Sequence, residues 1–107
     1  MSKPYAIAQP ERAGIDAMEG VVALEFGADW CGHCQGAAPN IRAGLADFPG
    51  VEHIKVEDGS GRKLGRSFRV KLWPTLVVLK GGQELARVVR PGDAQEVRDA
   101  IKLAQAV

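Results

Sequence analysis

The sequence predicts an α/β fold in which a central mixed sheet of four to five strands is flanked by helices on both faces. Short apolar runs of strand length alternate with stretches of helical periodicity, an order typical of a sheet covered by helices. The pair Gly81-Gly82 lies between two strand-like runs and predicts a tight hairpin, which makes the last two strands antiparallel. The length of 107 residues fits one compact domain, which we place at residues 1–107.

Composition and charge narrow the class of protein. Apolar residues make up 46% of the chain and charged residues 25%, ordinary values for a globular protein. The net charge of +1 argues against nucleic-acid binding, which usually needs a strongly basic face. No apolar run approaches the ~20 residues that span a bilayer, and the opening residues lack the apolar stretch of a secretion signal. We therefore expect a cytoplasmic monomer without nucleic-acid or membrane partners.

The first half of the chain predicts a short edge strand, followed by a helix, a strand and a second helix. The edge strand is expected at Tyr5–Ala8, and a short helix at Pro10–Met18, with proline near its start. Val21–Phe26 is an apolar run typical of a central strand that is buried on both faces. A helix with an expected kink at Pro39 follows, and Pro49-Gly50 ends it. Its apolar positions recur at helical spacing: Ile41, Leu45 and Phe48.

The second half predicts three more strands and two helices. Residues Val51–Glu57 alternate as a strand, and residues Gly59–Ser67 make a turn followed by a short helix. Two further strands, Thr75–Leu79 and Glu84–Val89, flank the hairpin. The segment Asp93–Glu96 is a capping box that opens a last helix. The apolar stripe of this helix consists of Val97, Ile101 and Ala104.

The two cysteines of the chain, Cys31 and Cys34, lie three positions apart where an apolar strand ends and a helix begins. Backbone N–H groups and the helix dipole favour a negatively charged sulfur there, and the spacing puts both sulfurs on one helix face. This pattern indicates an attacking thiol and a resolving thiol, because a structural disulfide is unusual in a reducing cytosol. The alternatives are two core cysteines without chemistry, a zinc site with His33 and His53, and a metal site shared between chains.

The segment Trp30-Cys31-Gly32-His33-Cys34 resembles the active site of the thioredoxin superfamily, in the form found in protein disulfide isomerase domains. A lone pair of cysteines at this spacing is a weak signal, but the resemblance extends from about Val21 to Ala104. It includes these further segments: Leu24-Glu25-Phe26, Ala28-Asp29, Pro39, Trp73-Pro74-Thr75 and Lys80-Gly81-Gly82-Gln83.

The resemblance implies a thioredoxin fold and a thiol-disulfide oxidoreductase, with a role in electron transport and cell redox homeostasis. Cys31 would be the nucleophile and Cys34 the resolving thiol, joined by a redox-active disulfide in the oxidised state. Glu25, the only charge in its apolar strand, would be a buried acid that moves protons to and from Cys34. The alternative is a glutamate that faces water on an edge strand. No cofactor or metal is implied.

The resemblance also implies how partners are held. The bond before Pro74 would be cis, and this loop would pair with an extended peptide beside Cys31. Trp30 and Trp73 would form an apolar lip around the reactive sulfur, although core packing is an alternative for Trp73. Arg90 stands where relatives usually have glycine beside the substrate groove, so it would block the groove or select acidic partners. The partners would be disulfide-containing proteins and an electron donor such as a thioredoxin reductase or a glutathione system.

Two histidines modify this interpretation. With Gly32, His33 tunes the redox pair, because a cation near Cys31 stabilises its thiolate and makes the disulfide a stronger oxidant. His33 therefore suggests an oxidase or isomerase as an alternative to a reductase. A binding or chaperone subunit with little turnover is a second alternative, suggested by Arg90 and Trp73. We expect His53 to be a solvated strand residue, with tuning of Glu25 as the less favoured possibility.

Overall fold

The computed structural model describes residues 3–107, and its helices and strands alternate as the sequence predicts. In chain order they are α1 (Arg12–Asp16), β1 (Val21–Gly27), α2 (Gly32–Ala46), β2 (Glu52–Glu57), α3 (Lys63–Ser67), β3 (Thr75–Lys80), β4 (Gln83–Val89) and α4 (Ala94–Gln105). Within these described residues, no helix is both long and apolar enough to cross a membrane.

The four strands form one mixed sheet in the order β2-β1-β3-β4. Strand β1 pairs in parallel with β2 and antiparallel with β3, and β3 pairs antiparallel with β4. Gly81 and Gly82 connect β3 to β4 with φ values of 58° and 78°. A turn with two positive φ values matches the twist of a hairpin, so the predicted hairpin and the mixed sheet are both confirmed.

The predicted edge strand at Tyr5–Ala8 is wrong, so the sheet has four strands. Only Ala6 bridges to the sheet, beside Val56 of β2, through backbone hydrogen bonds to Lys55 and Glu57. Pro4 and Pro10 flank this segment, and neither has an N–H to donate to a ladder.

The first helix is shorter than the predicted range Pro10–Met18. Glu11, the residue before α1, has extended backbone angles and provides no side-chain cap, so Pro10 stays outside the helix. Helix α2, by contrast, contains Pro39 as predicted and ends at Ala46, shortly before Pro49-Gly50.

The sheet separates two hydrophobic clusters, each covered by a pair of helices. Val22, Leu24 and Phe26 of β1 face α1 and α3, where they pack against Ile15 and Leu64. Ala23, on the opposite face of β1, packs against residues of α2 and α4, including Ile41, Val97 and Ile101. Because side chains alternate along a strand, Glu25 lies on the same face as Ala23, towards α2.

Helices α2 and α4 approach closely at Gly44. A methyl group added to Gly44 would come within 2.5 Å of Val97 Cβ and 2.9 Å of the Ala94 carbonyl oxygen. The N-terminus of α4 is held by the predicted cap, since the Asp93 side chain accepts from the Glu96 N–H at 3.0 Å. The Glu96 carboxylate accepts in turn from the Gly92 N–H at 2.6 Å.

We predict that Gly44→Ala destabilises the protein by about 1 kcal/mol. The better helix propensity of alanine gains up to ~1 kcal/mol, but overpacking against Val97 and the Ala94 carbonyl costs about 1–3 kcal/mol. Gly36→Ala in the same helix is the control, because a methyl group there meets nothing within 4 Å and should add about 0.5–1 kcal/mol. The measurement is the urea midpoint of unfolding, and equal stabilisation by both variants would contradict the packing argument.

Candidate active site

The two cysteines lie at the junction between the end of β1 and the start of α2, as predicted. Cys31 is the N-cap of α2, with φ −82° and ψ 120°, and its Sγ accepts a hydrogen bond from the Cys34 N–H at 3.2 Å. Both thiols are free. Cys31 is 8% exposed and Cys34 only 2% exposed. The N-terminal N–H groups and the helix dipole therefore favour a negative charge on Cys31, the more accessible of the two sulfurs.

Cys34 has a different environment, one turn into the helix. Burial, followed by the hydrogen bond to the Cys31 side chain, raises the pKa of the Cys34 thiol to about 11. An ordinary cysteine has a pKa of about 8.5, so Cys34 keeps its proton at neutral pH. Any attack by Cys34 therefore needs a group that takes this proton.

Glu25 is buried on the sheet face that packs against α2, with 1% of its surface exposed. The edge-strand alternative is therefore wrong. One carboxylate oxygen, Oε2, accepts a hydrogen bond from the Tyr5 hydroxyl. The other, Oε1, lies 2.8 Å from His53 Nε2. A buried carboxylate needs such partners, because desolvation without them costs several kcal/mol.

The expectation that His53 is a solvated strand residue is also wrong. Its side chain is only 21% exposed and pairs with Glu25. The physical reason is the parallel register of β1 and β2, in which Glu25 lies beside Lys55. Since side chains alternate along a strand, His53 and Lys55 both reach the face that carries Glu25. The Lys55 ammonium group donates to the Lys3 carbonyl at 2.6 Å.

Tyr5 is a site residue that sequence reasoning missed. It is 6% exposed and packs with Ala28, Cys31 and Cys34 in one small cluster. Its backbone N–H donates to Asp29 Oδ1 at 3.1 Å. Tyr5 is the only tyrosine of the chain, but nothing in its local sequence distinguishes a residue that reaches the cysteine pair from one in an edge strand.

Trp30 and Trp73 form a rim beside the cysteine pair. Trp30 is 71% exposed, and its ring meets that of Trp73 edge-to-face with centroids 5.6 Å apart. Trp73 is partly buried against the cluster that holds Cys31 and Cys34, and its indole N–H donates to Asp58 Oδ2 at 2.9 Å. The Trp73-Pro74 peptide bond is cis, as the resemblance implied.

Arg90 lies beside this rim with a left-handed backbone, φ 49°. Its N–H donates to the Pro74 carbonyl at 3.0 Å, and its side-chain Nε donates to the Trp73 carbonyl at 2.7 Å. The guanidinium group is therefore already hydrogen-bonded to the carbonyl of the residue before Pro74. Glycine adopts a positive φ more readily than arginine.

Gly32 and His33 are exposed in the first turn of α2, next to the cysteine pair. The zinc alternative needs several ligands close together. Between Lys3 and Val107, no group of three or more His, Cys, Asp or Glu side chains is placed to hold a metal ion.

Comparison with known proteins agrees with this geometry. A family model described as Thioredoxin matches residues 12–103. The chain is 33% identical over 82 residues to a thioredoxin of Chlamydia pneumoniae, a match that covers 77% of this chain and 80% of that one. It is 30% identical over 92 residues to a thioredoxin of Geodia cydonium, covering 86% and 87%. Its fold is similar to that of reduced thioredoxin 2 from Pseudomonas aeruginosa PAO1, with a TM-score of 0.86 and 50% identity over the full length of both chains.

We predict that Cys34 titrates near pH 11 in the reduced protein. The measurement is the Cβ chemical shift of Cys34 across the alkaline range. Unfolded Cys34 releases its proton near pH 8.5 while the folded protein keeps it, so between these values the folded state binds more protons. The free energy of unfolding, relative to that of Cys34→Ala, should therefore fall as pH rises above about 9. A Cys34 midpoint below pH 9 would contradict the burial argument.

Proposed function

The chain belongs to the thioredoxin family and is a thiol-disulfide oxidoreductase that reduces disulfides in proteins, and we propose on this premise that Cys31 attacks and Cys34 resolves. One observation carries this assignment: the Cys31 sulfur accepts a backbone N–H at the start of α2, while Cys34 lies deeper and keeps its proton. Thiolates are nucleophiles and thiols are not, so the two sulfurs differ before any substrate binds.

In the proposed cycle, the Cys31 thiolate attacks one sulfur of a substrate disulfide. The substrate S–S bond breaks, the second substrate sulfur leaves as a thiolate that takes up a proton, and a mixed disulfide remains on Cys31. The Cys34 thiolate then attacks Cys31 Sγ. The bond between Cys31 and the substrate breaks, and the substrate carries away two electrons as two thiols. The protein is left with a Cys31–Cys34 disulfide.

Glu25 is proposed to take the proton that Cys34 loses before it attacks. The carboxylate is buried on the sheet face that packs against α2, the helix that carries Cys34. A positioned base within hydrogen-bonding reach of the thiol, or one bridging group away, speeds proton transfer by typically ~10²-fold or more. In the reverse direction the same carboxyl returns the proton when the disulfide is reduced.

The groove for partner proteins is proposed to run past Trp30, Trp73 and Pro74, with Arg90 at its side. Exposed tryptophans suit a surface that grips partners, and the backbone next to Pro74 can pair with an extended peptide. A peptide that uses the Trp73 carbonyl must displace the Arg90 Nε that already donates to it at 2.7 Å. Arg90 is therefore placed to favour partners that offer its guanidinium a carboxylate in exchange.

The electron donor is proposed to be a thioredoxin reductase, with a glutathione system as the alternative, and the protein is proposed to work as a monomer in the cytoplasm. A reducing compartment supports this direction, because it returns the Cys31–Cys34 disulfide to the dithiol after each cycle.

A disulfide oxidase or isomerase is the second candidate, and His33 is the observation that favours it. His33 is exposed in the first turn of α2, two residues after Cys31. When protonated, its ring stabilises the nearby thiolate and so the reduced form, which raises the reduction potential of the pair.

We predict that the protein reduces insulin disulfides in the presence of a thiol reductant and that Cys31→Ser abolishes this activity. Cys34→Ser should retain the first attack and accumulate a mixed disulfide, which mass spectrometry detects as an adduct on Cys31. If the wild type shows no turnover with any reductant, the result favours a binding or chaperone subunit and the proposed cycle fails.

We predict that His33→Pro lowers the reduction potential of the pair by about 30 mV, a tenfold change in the equilibrium with a dithiol. The measurement is the fraction of reduced protein in a series of glutathione buffers. His33→Lys is the matched control, since it keeps a cation near Cys31 and should stay close to the wild type. An unchanged or less negative potential in His33→Pro would contradict the role of His33.

A further inference from the structure

We propose that Tyr5 and His53 complete a proton route for the resolving thiol, which runs from Cys34 through the Tyr5 hydroxyl to Glu25 and on to His53. The inference rests on the proposed function, because it concerns the proton that Cys34 loses when it resolves the mixed disulfide. Tyr5 is a catalytic residue in this route, since it touches a reacting atom. His53 is a positioning residue that acts through Glu25.

The first link joins Cys34 to Tyr5. The Tyr5 side chain packs with Cys31 and Cys34 in one buried cluster. A methyl group added to Gly27 would lie 2.6 Å from Cys34 Sγ and 2.8 Å from the Tyr5 hydroxyl oxygen, so both atoms lie against the same point of β1. Glycine at position 27 therefore leaves room for this pair to meet beneath the start of α2.

The second link joins Tyr5 to Glu25, and the third joins Glu25 to His53. The Tyr5 hydroxyl donates to Glu25 Oε2, and Glu25 Oε1 lies 2.8 Å from His53 Nε2. Each carboxylate oxygen thus has a different partner, one towards the cysteines and one away from them. The chain of contacts is continuous from the buried sulfur to the imidazole ring.

The route ends at solvent. The side chain of Glu25 is 2% exposed, whereas that of His53 is 21% exposed. His53 also lines a cavity of about 250 Å³ together with Lys3, Arg42 and Lys55. Tyr5 is 6% exposed. Glu25 itself lines this cavity, so the carboxylate and the imidazole connect the Tyr5 hydroxyl to an opening at the surface.

The proton transfer balances as follows. Tyr5 accepts the Cys34 proton on its hydroxyl oxygen while its own proton passes to Glu25 Oε2. Burial and the Glu25 carboxylate raise the pKa of Tyr5 above its ordinary value, so the hydroxyl remains protonated before and after the transfer. The Cys34 thiolate then attacks Cys31 Sγ, and the substrate sulfur leaves with the electron pair of the broken bond. Glu25 finally passes its proton through His53 to solvent, which restores the Glu25 carboxylate and leaves the imidazole as it was before the transfer.

Other charged groups face this route from each neighbouring segment. The Lys55 ammonium group of β2 lies 4.3 Å from the centre of the Tyr5 ring. Lys3 donates to the His53 carbonyl, and Asp29 accepts the Tyr5 N–H at 3.1 Å. Arg42 of α2 lines the same cavity as His53. These groups surround Glu25, and Tyr5 both bonds Glu25 and packs with Cys34.

The test follows the reaction of the reduced protein with dithiobis(nitrobenzoate) by stopped-flow absorbance. The first coloured thiolate is released when Cys31 attacks the reagent, and the second when Cys34 resolves the mixed disulfide. Tyr5→Phe should leave the first phase unchanged and slow the second at least tenfold at neutral pH. This deficit should shrink as the pH approaches 11, where Cys34 ionises without help.

His53→Gln is the second variant, because an amide can still bond Glu25 but cannot carry a proton onward. It should slow the second phase several-fold at neutral pH and reduce the solvent deuterium isotope effect on that phase. Tyr5→Phe keeps the ring that packs beneath Lys55, and its urea midpoint checks that the fold is intact. The wild-type second phase should also show a solvent deuterium isotope effect that the first phase lacks.

The outcomes separate this inference from the function on which it rests. If Cys31→Ser retains the first phase, the proposed function fails. If both phases of the wild type depend on the cysteines but Tyr5→Phe resolves at the wild-type rate, the proton route is overturned and the function stands. A slowing in Tyr5→Phe that is the same at every pH would mark a structural role for Tyr5 and would also overturn the route.

Discussion

The carboxylate of Glu25 lies in the middle of β1 with almost no access to water, and each of its oxygens is paired with a side chain from a different segment. Burying an ion costs several kcal/mol unless its partners compensate, and removal of one partner leaves an uncompensated charge. This requirement ties the N-terminal segment to the sheet through Tyr5, and β2 to β1 through His53. The cysteine pair lies directly above this arrangement, so its chemistry depends on the same contacts.

The two cysteines show how one helix start creates two different thiols. Cys31 caps the helix and receives a backbone N–H, whereas Cys34 lies one turn deeper and is protonated at neutral pH. The difference arises from position along α2, because orphan N–H groups exist only in the first turn. This difference supports the proposed roles of Cys31 as nucleophile and Cys34 as resolving thiol.

Around this shared centre, the surface carries features particular to this chain. Arg90 donates to the Trp73 carbonyl with a left-handed backbone, and His33 is exposed beside the pair. Such residues do not alter the sulfur chemistry itself. In the proposed function, Arg90 lies where an extended peptide would approach Cys31, and His33 lies beside the sulfur that attacks.

The sequence by itself predicted the four strands together with a fifth that does not form, the hairpin at Gly81-Gly82, the helix start at Cys31 and the acid in β1, since each depends on local periodicity, turn chemistry or a recognisable motif. Only the tertiary structure decided the partners of that acid. Tyr5 is 20 positions from Glu25 and His53 is 28 positions away. Their contacts depend on the register of β1 against β2 and on one bridge at Ala6. A pattern of apolar and polar residues predicts which face a side chain is on, but it does not predict which two polar atoms meet there.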